Sequence, residues 1–364
     1  GSLINFRYEL ILELSKFYSI TLLAPFNENI KLIKKKFKNK KINLINIDLI
    51  RNKYNIFSDL KTLYILFINI LKLNPQLIIS YNVKPVIFTG LVLSFFSNVK
   101  YIPIITGLGF HFINNNFKTK FFRSIIKFLY KFSLNKAKVI IFQNKDDRNL
   151  FLSENIIKKF QKILIVNGSG INLKIFKKYK LPLKNIFLMS SRILREKGVF
   201  EYIKASIIVK KFNNNCFFFL AGGFDNGISF INKKKFLNII KKSPINYLGH
   251  VNDMKKLLKK SKFYILPSYR EGTSHSILEA LATGRPVITT KVPGCKNTVV
   301  NNKNGYLVKP KSHISLAKAM IKIIKKDHGS LLKMANYSNY LAKKKFDVDK
   351  VNLKILSTIN NHIN

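Results

Sequence analysis

The tightest constraint in this sequence is a recurring unit of apolar strand, loop and amphipathic helix, and it is cleanest between Phe263 and Val308. Residues 263–266 read as a short apolar strand ended by Pro267, a polar loop follows, and residues 276–282 read as a helix. Gly284 and Pro286 stop that helix before a second strand at 287–290. A chain that alternates strand and helix in this way builds a parallel sheet covered on both faces. Open sheets of that kind bind ligands beyond the carboxyl ends of their strands, where loop amides meet the positive end of the next helix.

The loop itself carries chemistry. Glu271 lies within it and Glu279 in the following helix, so two carboxylates flank Gly272, Thr273, Ser274 and His275. Small residues there let a ligand approach the backbone, which suits a molecule bearing both phosphates and hydroxyls. A local explanation exists for one carboxylate: Ser276 at the N-cap and Glu279 three residues on would form a capping box. It does not account for Glu271.

The same alternation runs through the rest of the chain. Residues 6–17 read as a helix and 20–24 as a strand, followed by a basic helix at 30–36, a strand at 42–47, a helix at 59–72 and a strand at 77–80. Tyr81 to Pro85 reads as a loop beyond that strand, where Lys84 could meet an acceptor phosphate or stay an ordinary solvated lysine. A strand at 101–105 leads to Gly107 and Gly109, whose spacing permits close backbone approach, with His111 just after. Residues 118–136 form a basic amphipathic helix. An anionic lipid interface suits such a helix, although packing of its stripe on the sheet accounts for most of its apolar residues.

A basic segment at 176–183 containing Pro182 marks a hinge, and a second sheet begins at 186–189. Arg192 and Lys197 precede the helix at 199–210, placed to hold a diphosphate by charge-assisted hydrogen bonds. Gly249 follows a short strand at 245–248, and helices are expected at 254–260, 314–325 and 331–345.

At 364 residues the chain exceeds what one core usually serves. Three segments are expected: 1–170, 171–345, and a final stretch at 346–364 that returns to the first domain. Two distant cysteines, Cys216 and Cys295, form neither a disulfide framework nor a zinc pattern, which suits a reducing cytoplasm. The net charge of +48 attracts nucleic acid, anionic membrane and phosphorylated substrates alike. Part of it is solvated lysine surface, and the remainder favours a membrane surface. The longest apolar run, 63–79, is broken by Asn69, Lys72, Asn74 and Pro75, short of a bilayer span. No signal peptide opens the chain, because Asn5, Arg7 and Glu9 interrupt its start. A soluble or peripheral protein is expected.

These residues together resemble a retaining glycosyltransferase of family 4. The resemblance rests on Glu271 and Glu279 eight positions apart, Gly284-Arg285-Pro286, Val292-Pro293-Gly294-Cys295 and Asn304-Gly305-Tyr306. It extends to Arg192 to Gly198 and Leu248-Gly249-His250, which resemble further elements of the family, and to Thr106 to Phe110, Gln143 to Asp147 and Gly168 to Leu173, which resemble a bacterial branch that builds lipid-linked oligosaccharide, capsule or lipopolysaccharide. It implies an α/β GT-B fold, two Rossmann-like domains with parallel sheets facing across a cleft, and a first strand missing from this start. The implied co-substrate is a nucleoside diphosphate sugar, of uridine by this branch, and the implied acceptor a polyprenyl-diphosphate-linked glycan. No metal or other cofactor is implied, nor any nucleic acid partner.

By the same resemblance Glu271 binds hydroxyls of the donor sugar and Glu279 the ribose. Gly249 and Gly272 to His275 line the donor, and Arg192 and Lys197 stabilise the leaving diphosphate. Lys84, Gly107, Gly109 and His111 are the acceptor-side candidates. The protein is then expected at the inner face of the cytoplasmic membrane. Ser274 stands where the family often has proline, and Asn297 where it often has an acid. Two other readings remain: a sugar-nucleotide epimerase of the same fold, and a non-catalytic basic protein that binds membrane or RNA.

Overall fold

The computed structural model describes residues 2–25, 30–38, 42–47, 49, 55–108, 112, 117–225 and 230–363. The chain divides into two compact units, 1–170 with 348–364, and 171–347.

The second unit contains β7 (Asn185–Ser190), α8 (Val199–Phe212), β8 (Cys216–Ala221), α9 (Lys233–Lys241), β9 (Ile245–Tyr247) and α10 (Met254–Lys260). It continues with β10 (Phe263–Leu266), α11 (His275–Ala282), β11 (Val287–Thr290), β12 (Gly305–Val308), α12 (His313–Ile324) and α13 (His328–Lys345). Its strands form one parallel sheet in the order β12-β11-β10-β7-β8-β9. The chain starts at the middle, builds outward through β8 and β9, then returns to pair β10 with β7 and builds the other way. The strand order therefore reverses between β7 and β10, and at such a point the loops leaving adjacent strands diverge and open a crevice. Every residue of β10 and β11 is buried, as a strand covered on both faces requires.

An aromatic ladder crosses the same place. Phe187 is in register with Phe218 on one side and Phe263 on the other, at ring separations of 5.5 and 4.8 Å. Such pairs contribute about 0.5–1.5 kcal/mol each beyond their burial, so the junction beneath the crevice is rigid. Arg285, fully buried, holds the sheet's lower edge. Its guanidinium donates to the carbonyls of Ser261, Thr283, Tyr179 and Lys180. Burial lowers its pKa to about 10, which leaves it charged at neutral pH.

The first unit contains α1 (Ser2–Phe6), α2 (Tyr8–Leu14), β1 (Ile20–Ala24), α3 (Ile30–Phe37), β2 (Ile42–Asn46), α4 (Ile56–Leu73), β3 (Leu77–Tyr81) and α5 (Val83–Val92). It goes on through β4 (Lys100–Ile105), α6 (Phe117–Leu134), β5 (Ile140–Phe142), α7 (Lys145–Ser153) and β6 (Ile163–Ile165), and ends with α14 (Val348–Ile363). Among the described residues it has a parallel sheet in the order β3-β4-β5-β6 and a separate parallel pair, β1 and β2. Side chains alternate across β4. Tyr101 and Ile105 face the core made with α4, α5 and α6, while Ile102 and Ile104 face the one made with α2 and α14. The final helix thus belongs to the first unit, from Val348 rather than from 346. A Cβ on Gly170, whose φ is +73°, would lie 2.5 Å from the Val348 Cα, so the close return needs a glycine there.

Three local expectations are corrected. Residues 6–17 are not one helix: α1 and α2 meet at Arg7, whose guanidinium lies 3.5 Å from the centre of the Tyr81 ring. Tyr81 to Pro85 is not a loop, since Tyr81 ends β3 and α5 starts at Val83. In α6 the buried stripe is Ile126, Tyr130, Ser133 and Leu134, while Phe117, Phe121, Phe128 and Phe132 are exposed, so most of its phenylalanines do not pack on the sheet.

Candidate functional site

The site is built on the two strands that flank the reversal of strand order. After β7 the chain passes through Ser191 and Arg192 into a short turn, Arg195–Lys197, and then through Gly198 into α8. Gly198 has φ +76°, and a Cβ there would lie 2.2 Å from the Pro267 carbonyl oxygen. Only glycine lets the start of α8 seat against the loop that follows β10. That loop is stitched to the turn by backbone and side chain. The Tyr269 N–H donates to the Glu196 carbonyl at 2.8 Å, Ser268 Oγ lies 3.1 Å from the same carbonyl, and the Tyr269 hydroxyl donates to Glu201 Oε1 at 2.7 Å.

This stitching brings Lys197 and Glu271 together. Lys197 Nζ donates to Glu271 Oε1 at 2.5 Å, and Ser268 Oγ donates to the same oxygen at 2.7 Å. Both side chains are largely buried, 17% and 13% exposed. A part-buried pair is screened far less than a surface one, and two donors on one oxygen fix the carboxylate's plane. Glu271 is braced from behind as well: its N–H donates to the Pro293 carbonyl at 3.1 Å, and a Cβ on Gly294 would lie 2.2 Å from its own carbonyl oxygen. Beneath it, burial, with the Glu271 carboxylate adding to it, pushes the Cys295 thiol up to about 12. Cys295 is therefore a neutral packing residue.

α11 begins one residue earlier than expected, with Ser274 at its N-cap and no side-chain cap bond. The capping-box expectation fails: Ser276 lies inside the helix, and Glu279 Oε1 sits 3.1 Å from His275 Nδ1 one turn before it. The Glu279 carboxylate, 15% exposed, thus lies beside a histidine in the first turns. The Ile277 and Leu278 N–H groups donate to the Ser274 carbonyl, and the helix dipole favours anions at this end.

Arg192 pairs with Asp225, past the end of β8, and is more than half exposed. The neighbouring strand ends are tied: Gly222 N–H donates to the Gly249 carbonyl at 2.7 Å and the Tyr247 hydroxyl to the Gly222 carbonyl at 2.8 Å. Gly249, at φ +65°, has open space where a side chain would stand. The second unit therefore gathers Arg192, Lys197, Gly249, Glu271, Gly272, Thr273, Ser274, His275 and Glu279 along one edge of its sheet.

In the first unit Lys84 lies in the first turn of α5, and its Nζ donates to both oxygens of Asp59 on α4, at 2.7 and 2.9 Å. Gly107, with φ +133°, follows Thr106, whose hydroxyl donates to Asn82 Oδ1 at 2.6 Å. Gly109 and His111 lie outside the described residues. Asn144 and Asp147 have a local role: Asn144 caps α7, accepting from the Asp147 N–H at 2.8 Å, and its amide donates back to the buried Asp147 carboxylate. Sequence reasoning missed Ser268 and Asp225. Ser268 stood in the loop already singled out, while nothing in the sequence joined Asp225 to Arg192.

A doubly wound parallel sheet with a cation and a carboxylate paired at its point of reversal defines a Rossmann-like domain suited to an anionic ligand rich in hydroxyls. Residues 172–345 match the family of glycosyl transferases group 1. The chain is 31% identical over 242 residues, 61% of each chain, to a Campylobacter jejuni N,N'-diacetylbacillosaminyl-diphospho-undecaprenol alpha-1,3-N-acetylgalactosaminyltransferase, so the match spans about three fifths of that relative's length. It is 24% identical over 283 residues to an Escherichia coli UDP-Gal:alpha-D-GlcNAc-diphosphoundecaprenol alpha-1,3-galactosyltransferase, covering 74% of this chain and 71% of that one. Among solved structures, sucrose-phosphate synthase from Thermosynechococcus elongatus aligns with a TM-score of 0.80 at 17% identity, over 99% of this chain and 93% of that one. Anabaena HepE in complex with UDP-glucose aligns with a TM-score of 0.76 at 16% identity, over 97% and 95%. The chain thus has the α/β GT-B fold, and the match to the group 1 glycosyl transferases covers its residues 172–345.

Proposed function

We propose that this chain is a retaining family 4 hexosyltransferase. It moves a hexose or N-acetylhexosamine from a uridine diphosphate sugar to a hydroxyl of a polyprenyl-diphosphate-linked glycan, in assembly of bacterial surface polysaccharide. The observation that carries the reading is the Lys197–Glu271 pair at the reversal of the sheet, within a group 1 domain. The relatives' acceptors support the lipid-linked substrate.

In this reading the donor's diphosphate lies over Lys197, Arg192 and the first N–H groups of α11, which take up the negative charge that grows as the sugar leaves. Preorganised donors of this kind are worth about 10²–10³ in rate apiece. Glu271, held through Oε1 by Lys197 and Ser268, turns its other oxygen to the sugar hydroxyls. Glu279 accepts from the ribose. Diphosphate charge is met by side chains and amides, so the reaction needs no resident metal and is expected to run unchanged in a chelator. Lys84 and Gly107 mark the acceptor side. The site of action is the inner face of the cytoplasmic membrane, and no helix among the described residues is long and apolar enough to cross one.

A thermal-shift panel of nucleotide sugars tests this first. A ligand that binds only the folded state raises its stability by about 2.7 kcal/mol at a hundred times its dissociation constant. One UDP-sugar should shift the transition and then be consumed only when a polyprenyl-diphosphate acceptor is added. Absence of any shift across the panel would remove the reading, and free epimer formed without acceptor would assign an epimerase instead.

A further inference from the structure

Two helices of the first unit are apolar on the side that faces water. In α4 the inward stripe is Thr62, Leu66 and Ile70, yet the outward stripe is Phe57, Leu60, Tyr64 and Leu71, again at helical spacing. In α6 the outward stripe is Phe117, Phe121, Ile125, Phe128 and Phe132, with Phe117 and Phe128 at 87% and 68% exposure. A helix with apolar residues all round is normally buried on all sides. These two are buried on one side only, and both pack against α5, which lies almost wholly inside the core. α5 and α6 are locked at close range: a Cβ on Gly90 would meet Ser133, whose hydroxyl donates to the Ile87 carbonyl at 2.8 Å. The two outward stripes are therefore held on one rigid layer.

We propose that these outward faces of α4 and α6 form one seat for an anionic lipid bilayer, with the phenyl rings entering the interface and the lysines beside them selecting acidic headgroups. Charge favours lipid over a second copy of the chain. Lys120 and Lys131 stand exposed beside the α6 stripe and Lys72 on α4. A twofold interface would bring the same patch from each copy together and set these cations against each other, whereas an acidic bilayer neutralises them, at about 1 kcal/mol per residue near the surface. Aromatic rings with a lysine rim are also the composition of interfacial helices that lie in the membrane plane. The proposal deepens the reading of a lipid-linked acceptor and rests on it for its purpose, though not for its test.

The chain contains no tryptophan, so a single Phe→Trp replacement is a unique reporter. Phe57→Trp, Phe128→Trp and, at an exposed position in the second unit, Phe212→Trp are each mixed with vesicles of phosphatidylglycerol and phosphatidylethanolamine, or of phosphatidylcholine alone. The first two should shift to the blue and be quenched by brominated acyl chains on the acidic vesicles only, and the third should not respond. Paired removal of rings, Phe121→Ser with Phe128→Ser or Phe57→Ser with Tyr64→Ser, should lower vesicle partition about tenfold or more, given what one buried ring contributes. All these positions are exposed, so the thermal transition should stay put. Quenching at 212 but not at 57 and 128, or partition unchanged by either pair, would overturn the proposal. So would a dimer that the same serine pairs dissolve in light scattering, which assigns the face to a second copy. Nucleotide-sugar thermal shifts on the serine variants should match the wild type. Their loss in every variant and the wild type, with vesicle binding intact, would defeat the transferase reading alone.

Discussion

The two units are made of the same materials, parallel strands alternating with helices, and differ most at the carboxyl ends of their strands. In the second unit the strand order reverses between β7 and β10, and the loops leaving those strands are sewn together through Glu196, Ser268 and Tyr269. In the first, the described order β3-β4-β5-β6 runs one way, and Lys84, in the first turn of the helix after β3, is held by Asp59 on a neighbouring helix. One edge presents a paired cation and carboxylate over an aromatic floor. The other spends its polar groups on joining helices, and its apolar surplus faces outward along α4 and α6. Division of labour follows: the first kind of edge suits a small charged ligand, the second kind of surface a broad partner.

That contrast can be broken in several ways. The largest effect is expected from Arg285→Met in the second unit. It frees buried carbonyls of Ser261, Tyr179 and Lys180 from their charged donor, and each buried acceptor left unsatisfied costs roughly 1–3 kcal/mol, measured by denaturant unfolding. Retention of wild-type stability would show that the sheet's lower edge is not held there. Lys197→Ala and Glu271→Gln should each lower sugar transfer about 10²–10³-fold with the thermal transition little changed. Transfer near the wild-type rate in either removes the site assignment.

A smaller effect concerns Cys295, whose thiol is raised from an ordinary value near 9 to about 12. The folded protein keeps that proton to higher pH than the unfolded chain, so its contribution is complete below pH 9 and is lost as pH rises towards 12. Wild type should lose stability faster than Cys295→Ala over that window, by on the order of 1 kcal/mol per pH unit. Equal slopes would place the thiol outside the buried floor. The smallest effect on the site is expected from Lys84→Met in the first unit, which should cost stability roughly 1–3 kcal/mol, because Asp59 stays part-buried without its cation, and leave donor binding as it was. Weakened binding of the nucleotide sugar would erase the distinction between the two edges.

Much of this was legible in the residues. α10, β10 and β11 fall where periodicity and turn residues put them, and the two strands do so because a strand buried on both faces needs an unbroken apolar run. Glu271 and Lys197 could be singled out as a carboxylate in a small-residue loop and a cation before a helix. Their salt bridge could not be read, since it joins residues 74 positions apart through the Ser268 and Tyr269 stitching. The capping-box reading of Ser276 failed for a local reason: with Gly272 and Thr273 ahead of it, the chain turns into the helix at Ser274. The outward phenylalanines of α6 were visible as a stripe, but a stripe does not say which side it faces. Here the buried side is taken by Ile126 and Tyr130, set by the contact of Ser133 with Gly90.

The claim on which most depends is that Lys197 and Glu271 act as one unit on the donor. A double-mutant cycle on transfer from the UDP-sugar that the thermal-shift panel selects, using Lys197→Ala, Glu271→Gln and the combined variant, measures this directly. The account predicts that the combined variant is no slower than the slower single one. Losses that multiply, as they do for sites that do not share a partner, would contradict it.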